Sequence, residues 1–449
     1  MSLSPLSTNR EQQPLNVSIL TVFPHLYDPF LQTTLIGRAQ KSGLISCEAT
    51  AFSSYVSPAE RIDAPTFGHG AGMLLRPEVI EAAVMQREQT HGPAYKVFFC
   101  PRGVRLTQNV LRVIAENSIK RGHLMLLPAR YEGMDDRVER EFADITVSIG
   151  DFVLMGGDLP AMILLEGVLR LIPGVVGRLE SVEKESFSGP FLDHPSYTKP
   201  VSWRGMDVPD VIRSGNHAAM RLWETAESIR RAVLKNFGWM RSQPLTVEQR
   251  TAAQQYIPVH YVALMHVDVL VGTELREGVT SVTSIDIHDI ARSSCTYGVK
   301  GFSIVTPLVD QQEVVGTVLN FWHEGPGQAY REDRYKAMRC VSLENSLDEL
   351  ISVIEQREGK KPIIISTSAR SVSGAETLAY DEQSRVWGHD RPVLIVFGTG
   401  SGLSEKVLDK SDYILPPVYG LSDFNHLSVR SAVAIVLDRW LGLNEKKLG

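Results

Sequence analysis

Short apolar runs alternate with amphipathic helical stretches along this chain twice over, and that double alternation most limits its fold. VSILTVF (17–23), KVFFCP (96–101), HLMLLPA (123–129) and DITVSIG (144–150) are brief, rich in β-branched residues and ended by Pro, Gly or polar turns. Runs this short read as buried strands. Between them PEVIEAAVMQREQ and LTQNVLRVIAENSIKRG carry helical spacing, and AMILLEGVLRLIPG (161–174) predicts a helix that ends before Pro173. From about residue 259 the pattern returns. YVALMHVDVL reads as one strand, DIHDIARSSCTYG (286–298) as a helix stopped by Gly298, and GFSIVTP, PIIISTSA and PVLIVFG (392–398) as buried strands. SVRSAVAIVLDRWLG reads as a terminal amphipathic helix. Strands alternating with helices predict α/β domains built on parallel sheets.

The stretch between the two patterns differs. Residues 201–245 are rich in Arg and Trp and read as mainly helical, with Asn216 as N-cap of a long helix. The expected organisation is a loose tail (1–14), an α/β domain (15–175), a Gly/Pro-punctuated linker or lid (176–200), a helical module (201–245), a second linker of helical character (246–258) and a second α/β domain (259–449). A chain of 449 residues is long enough for about three domains.

Charge narrows the function. The chain carries 46 basic and 52 acidic residues, a net −6, so it does not hold nucleic acid by bulk charge. Any such site is a local patch, and residues 191–250 have a small basic excess. Cys47, Cys100, Cys295 and Cys340 form no C-x-x-C clip or disulfide framework, which suits a reducing cytoplasm. The polar N-terminus does not resemble a signal peptide, and no apolar run is long enough to predict a membrane span. The histidines form no metal-ligand spacing, so no metal site is expected. Dinucleotide, Walker and nucleophile-elbow motifs are missing from the sequence.

Five stretches carry candidate chemistry. SIGDFVLMGGDLPA (148–161) places Gly150, Asp151, Gly156, Gly157 and Pro160 between a strand and a helix, where backbone can approach a ligand; a tight turn with a capping glycine would read the same way. FGHGAGM (67–73) is a second glycine loop. RYEGMDDRVER (130–140) mixes acids and arginines after a strand's carboxyl end, the ligand position of open α/β sheets, though such runs also serve as solvated surface. HPSYTKP and SGNHAAMRLW supply His, Tyr, Lys, Arg and Trp suited to phosphates and unpaired bases, or to an ordinary helical surface.

Together with ILTVFP (19–24), GRAQKSGLI (37–45), RLIPGVVG (170–177), FLDHPSYTKP and GMDVPDVIRSGNH (205–217), these stretches closely resemble bacterial tRNA (guanine-N1)-methyltransferases of the SPOUT class (TrmD type). The resemblance implies a knotted α/β domain that binds S-adenosylmethionine, a homodimer, and a small helical module that helps hold tRNA. The implied reaction methylates N1 of the guanosine just 3′ of the anticodon. By match to the family pattern the donor lies against Pro101, Ala129, Ile149, Gly150, Asp151, Phe152, Val153, Leu154, Gly157 and Pro160. Arg130, His194, Tyr197, Lys199, Asn216 and His217 are expected to meet RNA.

The chemistry asks for a base, a positive group and a rigid cradle. Guanine N1 holds a proton and attacks only after losing it. Negative charge then grows on O6 and must be met, and N1 must align with the methyl group. Arg170 falls on the family's catalytic arginine. Glu132 falls on an acid that the family links to a magnesium requirement. The family's base is an aspartate, and here the matching position is Glu185, one methylene longer. A misplacement of about 1 Å can cost about 100-fold, so a SPOUT scaffold that holds RNA without catalysis is the competing expectation. Two further departures are Ala129 for a glycine beside the donor and Ala71 for a proline in the glycine loop.

The second half resembles another SPOUT family of RNA methyltransferases, found in some bacteria as separate proteins, through SVTSIDIHDIARSSCTYGVKGFSIVTP, FGTGSGL and NHLSVRSAVAIVLDRW. Ribose 2′-O-methylating relatives place an asparagine six residues before a catalytic arginine; here Asp286 precedes Arg292. Thr399 and His426 replace their glutamate and asparagine. Donor binding around Gly398, Gly400, Gly402, residues 415–420 and Leu427 is the firmer expectation for this half, and its target is open.

Overall fold

A computed structural model describes residues 14–68, 72–176, 185–370 and 376–443. Most of the N-terminal tail, the middle of the first glycine loop with Ala71, and residues 177–184 of the linker lie outside the described residues. The chain forms two compact units, 1–188 and 189–449.

The first unit is a five-stranded sheet of β1 (Leu15–Thr21), β2 (Ile45–Ala51), β3 (Tyr95–Arg105), β4 (His123–Leu127) and β5 (Ile145–Ser148), in the order β2-β1-β4-β3-β5. Every pairing is parallel. Alternate residues serve opposite faces, and both faces are covered. Val17, Ile19, Leu124 and Leu126 pack with α3 (Asp158–Leu169), while Leu20, Met125 and Leu127 pack with α1 (Pro77–His91). α2 (Gln108–Arg121) joins the first of these cores. β3 runs past the expected end at Pro101. Its register shifts between Phe99 and Val104, and Gly103 lies so close to Thr146 and Val147 that a Cβ there would come within 2.7 Å of their backbone.

The second unit opens with an unexpected two-strand hairpin, Ser202–Trp203 with Met206–Asp207, turned by Arg204 and Gly205 at positive φ. α4 (His217–Met240) follows, and Asn216 caps it by accepting from Ala218 N and Ala219 N. The second linker stretch folds as α5 (Val247–Gln254), closed by a Thr246–Gln249 capping box. Then come β6 (His260–Met265), α6 (Ser284–Thr296), β7 (Gly301–Val305), β8 (Val341–Glu344), α7 (Leu347–Glu358), β9 (Ile363–Thr367), β10 (Val393–Gly398), β11 (Tyr413–Leu415) and α8 (Val429–Leu441). The sheet is parallel, in the order β8-β7-β6-β10-β9-β11. Apart from the added edge strand β8, this is the strand permutation of the first unit. YVALMHVDVL is not one strand: β6 ends at Met265, Asp268 turns the chain at φ +52°, and Val269–Val271 pairs with Arg276–Gly278.

The second unit's core includes the helical module. Ile229, Ala232, Val233, Phe237 and Met240 of α4 and Ala253 of α5 share one cluster with Val262, Phe302, Ile395 and Trp440. At its centre Phe237 meets Trp387 edge-on at 4.7 Å, and Trp440 Nε1 donates to His260 Nε2 at 3.0 Å. His260 Nδ1 lies 2.6 Å from the Pro258 carbonyl, so the ring is neutral with its proton on Nδ1. Burial pushes its pKa down to about 4. The unfolded chain therefore takes up a proton near pH 6.5 that the folded chain refuses until about pH 4. Stability is full above pH 6.5 and falls by about 3 kcal/mol as pH drops to 4. Urea unfolding read by tryptophan fluorescence at pH 7 and pH 4.5 will show this loss, and His260→Gln will make the pH dependence shallower. An equal pH dependence in that variant would remove His260 from the account.

Candidate active site and donor-binding loops

In the first unit the loops after β4, β3 and β5 leave the carboxyl ends of adjacent parallel strands, the ligand position of open α/β sheets. Gly157 N donates to Ala129 O at 2.7 Å, tying the β5 loop to the β4 loop. A Cβ at Gly157 would stand 2.8 Å from Ala129 N, and one at Gly150 would stand 2.5 Å from the Phe152 ring. Gly150, Gly157 and Pro160 are buried and Ala129 is half-buried. Pro101 and Asp151 to Leu154 are exposed. The two loops thus approach each other backbone to backbone, with exposed apolar side chains at the rim.

Beneath the cradle sits a buried carboxylate. Asp158, 1 % exposed at the head of α3, accepts from Thr21 Oγ1 at 2.6 Å, Tyr27 Oη at 3.0 Å and Arg130 Nε at 2.6 Å. Burial and the neighbouring Asp158 raise the Tyr27 pKa far above its usual value, so the phenol stays a donor. Arg130 also lies over the Phe23 ring, 5.0 Å from its centroid. Its Nε is thus bonded inside the first unit, and the side chain stays partly exposed. Asp158, Thr21 and Tyr27 went unnoticed in the sequence. The signal was there: an acid directly after Gly-Gly at a helix start, with hydroxyl residues at and just past the end of the first strand.

Arg170 ends α3, and its guanidinium pairs with the Glu185 carboxylate. Ile172 and Val175 are buried in the core and anchor the chain that leaves Arg170. The structure therefore joins the two residues on which the reaction was expected to depend. Glu132 stands apart from this pair. Its backbone N donates to Met73 O at 3.0 Å, and its side chain lies over Gly72, where a Cβ would come within 2.4 Å of Glu132 Cγ. Among the described residues no three His, Cys, Asp or Glu side chains gather as a metal site.

In the second unit His194 lies 3.1 Å from Asp193 and 3.7 Å from Glu224, and Tyr197 stands 6.1 Å from Trp223, ring to ring. Lys199, Asn216 and His217 are exposed. His194 and Tyr197 thus lie against the first half of α4.

The second sheet carries a cavity of about 820 Å³ at the carboxyl ends of β6, β9, β10 and β11. Gly398, Gly400, Gly402, Leu427 and Asp286 line it. Gly400 has φ +60°, and a Cβ there would stand 2.7 Å from Leu270 O. Asp286 accepts from Thr283 Oγ1 at 2.5 Å and pairs with Arg430 at 3.3 Å. Arg292, on the same helix, is exposed and does not line the cavity.

A model of the family described as tRNA (Guanine-1)-methyltransferase TrmD matches residues 15–241, just over half the chain. A tRNA (guanine-N(1)-)-methyltransferase of Oleidesulfovibrio alaskensis is 36 % identical over 434 residues, 95 % of this chain and 99 % of the relative. This chain belongs to the tRNA (guanine-N1)-methyltransferase family. The Nitratidesulfovibrio vulgaris member is 37 % identical over the same share of both chains. The Bacillus subtilis member is 36 % identical over 238 residues, which is 53 % of this chain but 96 % of the relative. Family members thus come in a short form and in the two-unit form. Residues 259–442 match a second family, described as SAM-dependent RNA methyltransferase. The resemblance read from the sequence motifs holds for both halves, and both halves are of the α/β class.

Proposed function

We propose that the first unit transfers a methyl group from S-adenosylmethionine to N1 of the guanosine 3′ of the tRNA anticodon, with Glu185 as base and Arg170 as the group that meets O6. The Arg170–Glu185 pair is the observation that carries this reading. It sets an acceptor beside a donor, as the N1–H and O6 of guanine require. Adenine offers the reverse order on that edge, an acceptor at N1 and a donor at its amine.

Glu185 takes the N1 proton, and Arg170 meets the charge that builds on O6. Pro101, Ala129, Ile149 to Leu154, Gly157 and Pro160 hold the donor, which supplies an electrophilic methyl group when bound. Asp158 fixes the cradle from below through Thr21, Tyr27 and Arg130. His194, Tyr197, Lys199, Asn216 and His217 contact tRNA, and the knotted threading of the family organises the donor loops. The second cavity takes the same donor for another RNA site.

The working form is a homodimer in the cytoplasm. Phe152, Val153, Leu154, Met155, Leu159 and Ile163 form an exposed apolar surface on the β5 loop and α3. A surface of that kind marks an interaction site, and a second copy is the occupant that keeps it beside the donor loops. No helix among the described residues is long and apolar enough to cross a membrane.

The test is methyl transfer from labelled donor to a tRNA transcript with guanosine 3′ of the anticodon, against the same transcript with adenosine there. Label on the first transcript alone supports the reading. No label, with tRNA still bound, would leave a non-catalytic scaffold. Equal label on both would point to another nucleotide.

A further inference from the structure

His266 is the first residue past β6. The residue is 1 % exposed and is one of those around the second cavity, with Thr280, Thr399, Phe397 and Val436. The hydrogen bonds around it fix its tautomer. Thr399 Oγ1 lies 2.8 Å from the Met265 carbonyl, which can only accept, so the Thr399 proton points there. Thr280 Oγ1, 2.5 Å from Thr399 Oγ1, must then donate to it. That leaves Thr280 Oγ1 as an acceptor, 3.0 Å from His266 Nδ1. The ring proton is therefore on Nδ1, and Nε2 presents a lone pair. Nε2 is buried and has no hydrogen-bond partner among the described residues. Burial pushes the ring pKa down to about 4, against the pull of Asp286, so the ring stays neutral near pH 7.

The first unit shows the same place closed. The two sheets share a strand permutation, and β1 pairs with β4 as β6 pairs with β10. Continuing each register, Thr21 stands opposite Pro128 and His266 opposite Thr399, the first residue past the neighbouring strand in each unit. Thr21 Oγ1 donates to Asp158 and accepts from Phe23 N, so it has both partners. In the second unit Nε2 is instead buried without a partner among the described residues, and its residue borders a cavity large enough for a nucleoside ligand. Orphaned buried acceptors are rare and costly, and one that lines a cavity calls for a donor from whatever fills it.

We infer that His266 Nε2 is a recognition point of the second cavity, accepting a hydrogen bond from an N–H or O–H of the adenosine part of its ligand. The inference rests on the reading that this half holds S-adenosylmethionine. A neutral donor suits the site better than the ligand's ammonium, because Asp286 already carries Thr283 and Arg430 and the local charge is balanced. Leu275, Phe397, Val418 and Leu427 add the apolar wall that a flat base needs.

The test is calorimetric titration of the full chain with S-adenosylhomocysteine. The wild type should bind two equivalents per chain. His266→Asn sets an amide nitrogen where Nδ1 was, keeps the contact to Thr280 and deletes Nε2. It should weaken the second site about 10- to 100-fold and leave the first unchanged. His266→Phe keeps the ring volume, loses both nitrogens, and decides the matter if the Asn variant loses the second unit's melting transition. S-inosylhomocysteine, with an oxygen in place of the amine, separates the two donors. If the amine is the donor, this ligand binds the wild-type second site weakly and the Asn variant loses nothing more. If a ribose hydroxyl is the donor, the Asn penalty is the same with both ligands. Unchanged second-site affinity in both variants would overturn the inference. A single equivalent bound by the wild type would overturn the reading beneath it instead.

Discussion

Glu185→Gln will leave S-adenosylmethionine bound to the first unit and will cut methyl transfer to tRNA by about 1,000-fold, within the range for loss of a general base. The amide keeps the length of the side chain and can still accept a hydrogen bond from guanine N1–H, but it cannot take the proton. The partner of Glu185 is Arg170, so the substitution also frees that guanidinium; donor affinity and tRNA affinity therefore belong in the same experiment. Single-turnover transfer at saturating tRNA isolates the chemical step. Glu185→Asp keeps the acid, shortens the reach by one methylene and restores the residue usual in the family, and its rate should stay within about tenfold of wild type. A Gln variant within tenfold of wild type would remove Glu185 from the role of base.

Asp158→Ala will destabilise the first unit by about 3–5 kcal/mol, the usual result of leaving a buried ionic partner uncompensated. One carboxylate accepts from Thr21, Tyr27 and Arg130, and its loss removes all three bonds at once. The six tryptophans lie at 203, 223, 239, 322, 387 and 440, all within the second unit. Tryptophan fluorescence therefore follows that unit alone, while far-ultraviolet dichroism follows both. In urea the variant should shift an early dichroism transition and leave the fluorescence transition where it was. A shift of less than about 1 kcal/mol would mean that water or a rearranged Arg130 replaces the carboxylate.

Much of the architecture could be read from hydrophobic runs, because strands buried on both faces are almost continuously apolar. The runs at 17–23, 123–129, 144–150 and 392–398 each hold a strand. What escaped were features decided by single residues or by distant partners. Asp268 at positive φ breaks an apolar run that gives no sign of a break. Arg204 and Gly205 turn a hairpin of two-residue strands, too short for any alternation to show. At the site, Arg170 and Glu185 came from resemblance to a family pattern; residue types alone would not have paired them. Asp158 and His266 escaped because their meaning lies in contacts with residues more than a hundred positions away (Thr21) or across three loops (Thr280 and Thr399).

The helix that closes the first family's segment has its inner face sunk in the second family's sheet. α4 ends at Met240 and the first family model at residue 241, while the second model begins at 259. A cut between them looks harmless on a domain map. In the structure it would strip Ile229, Val233, Phe237 and Met240 from their partners, and with them the Arg241 contacts to the carbonyls of Asp438 and Arg439. The match to the Bacillus subtilis relative covers 96 % of that chain but only 53 % of this one, so the bed for α4 comes from the part of this chain that the match leaves out. The join therefore works as a ratchet: with the inner face of α4 apolar and bedded on the second sheet, removal of the second half is a folding defect for the helical module and not a neutral deletion.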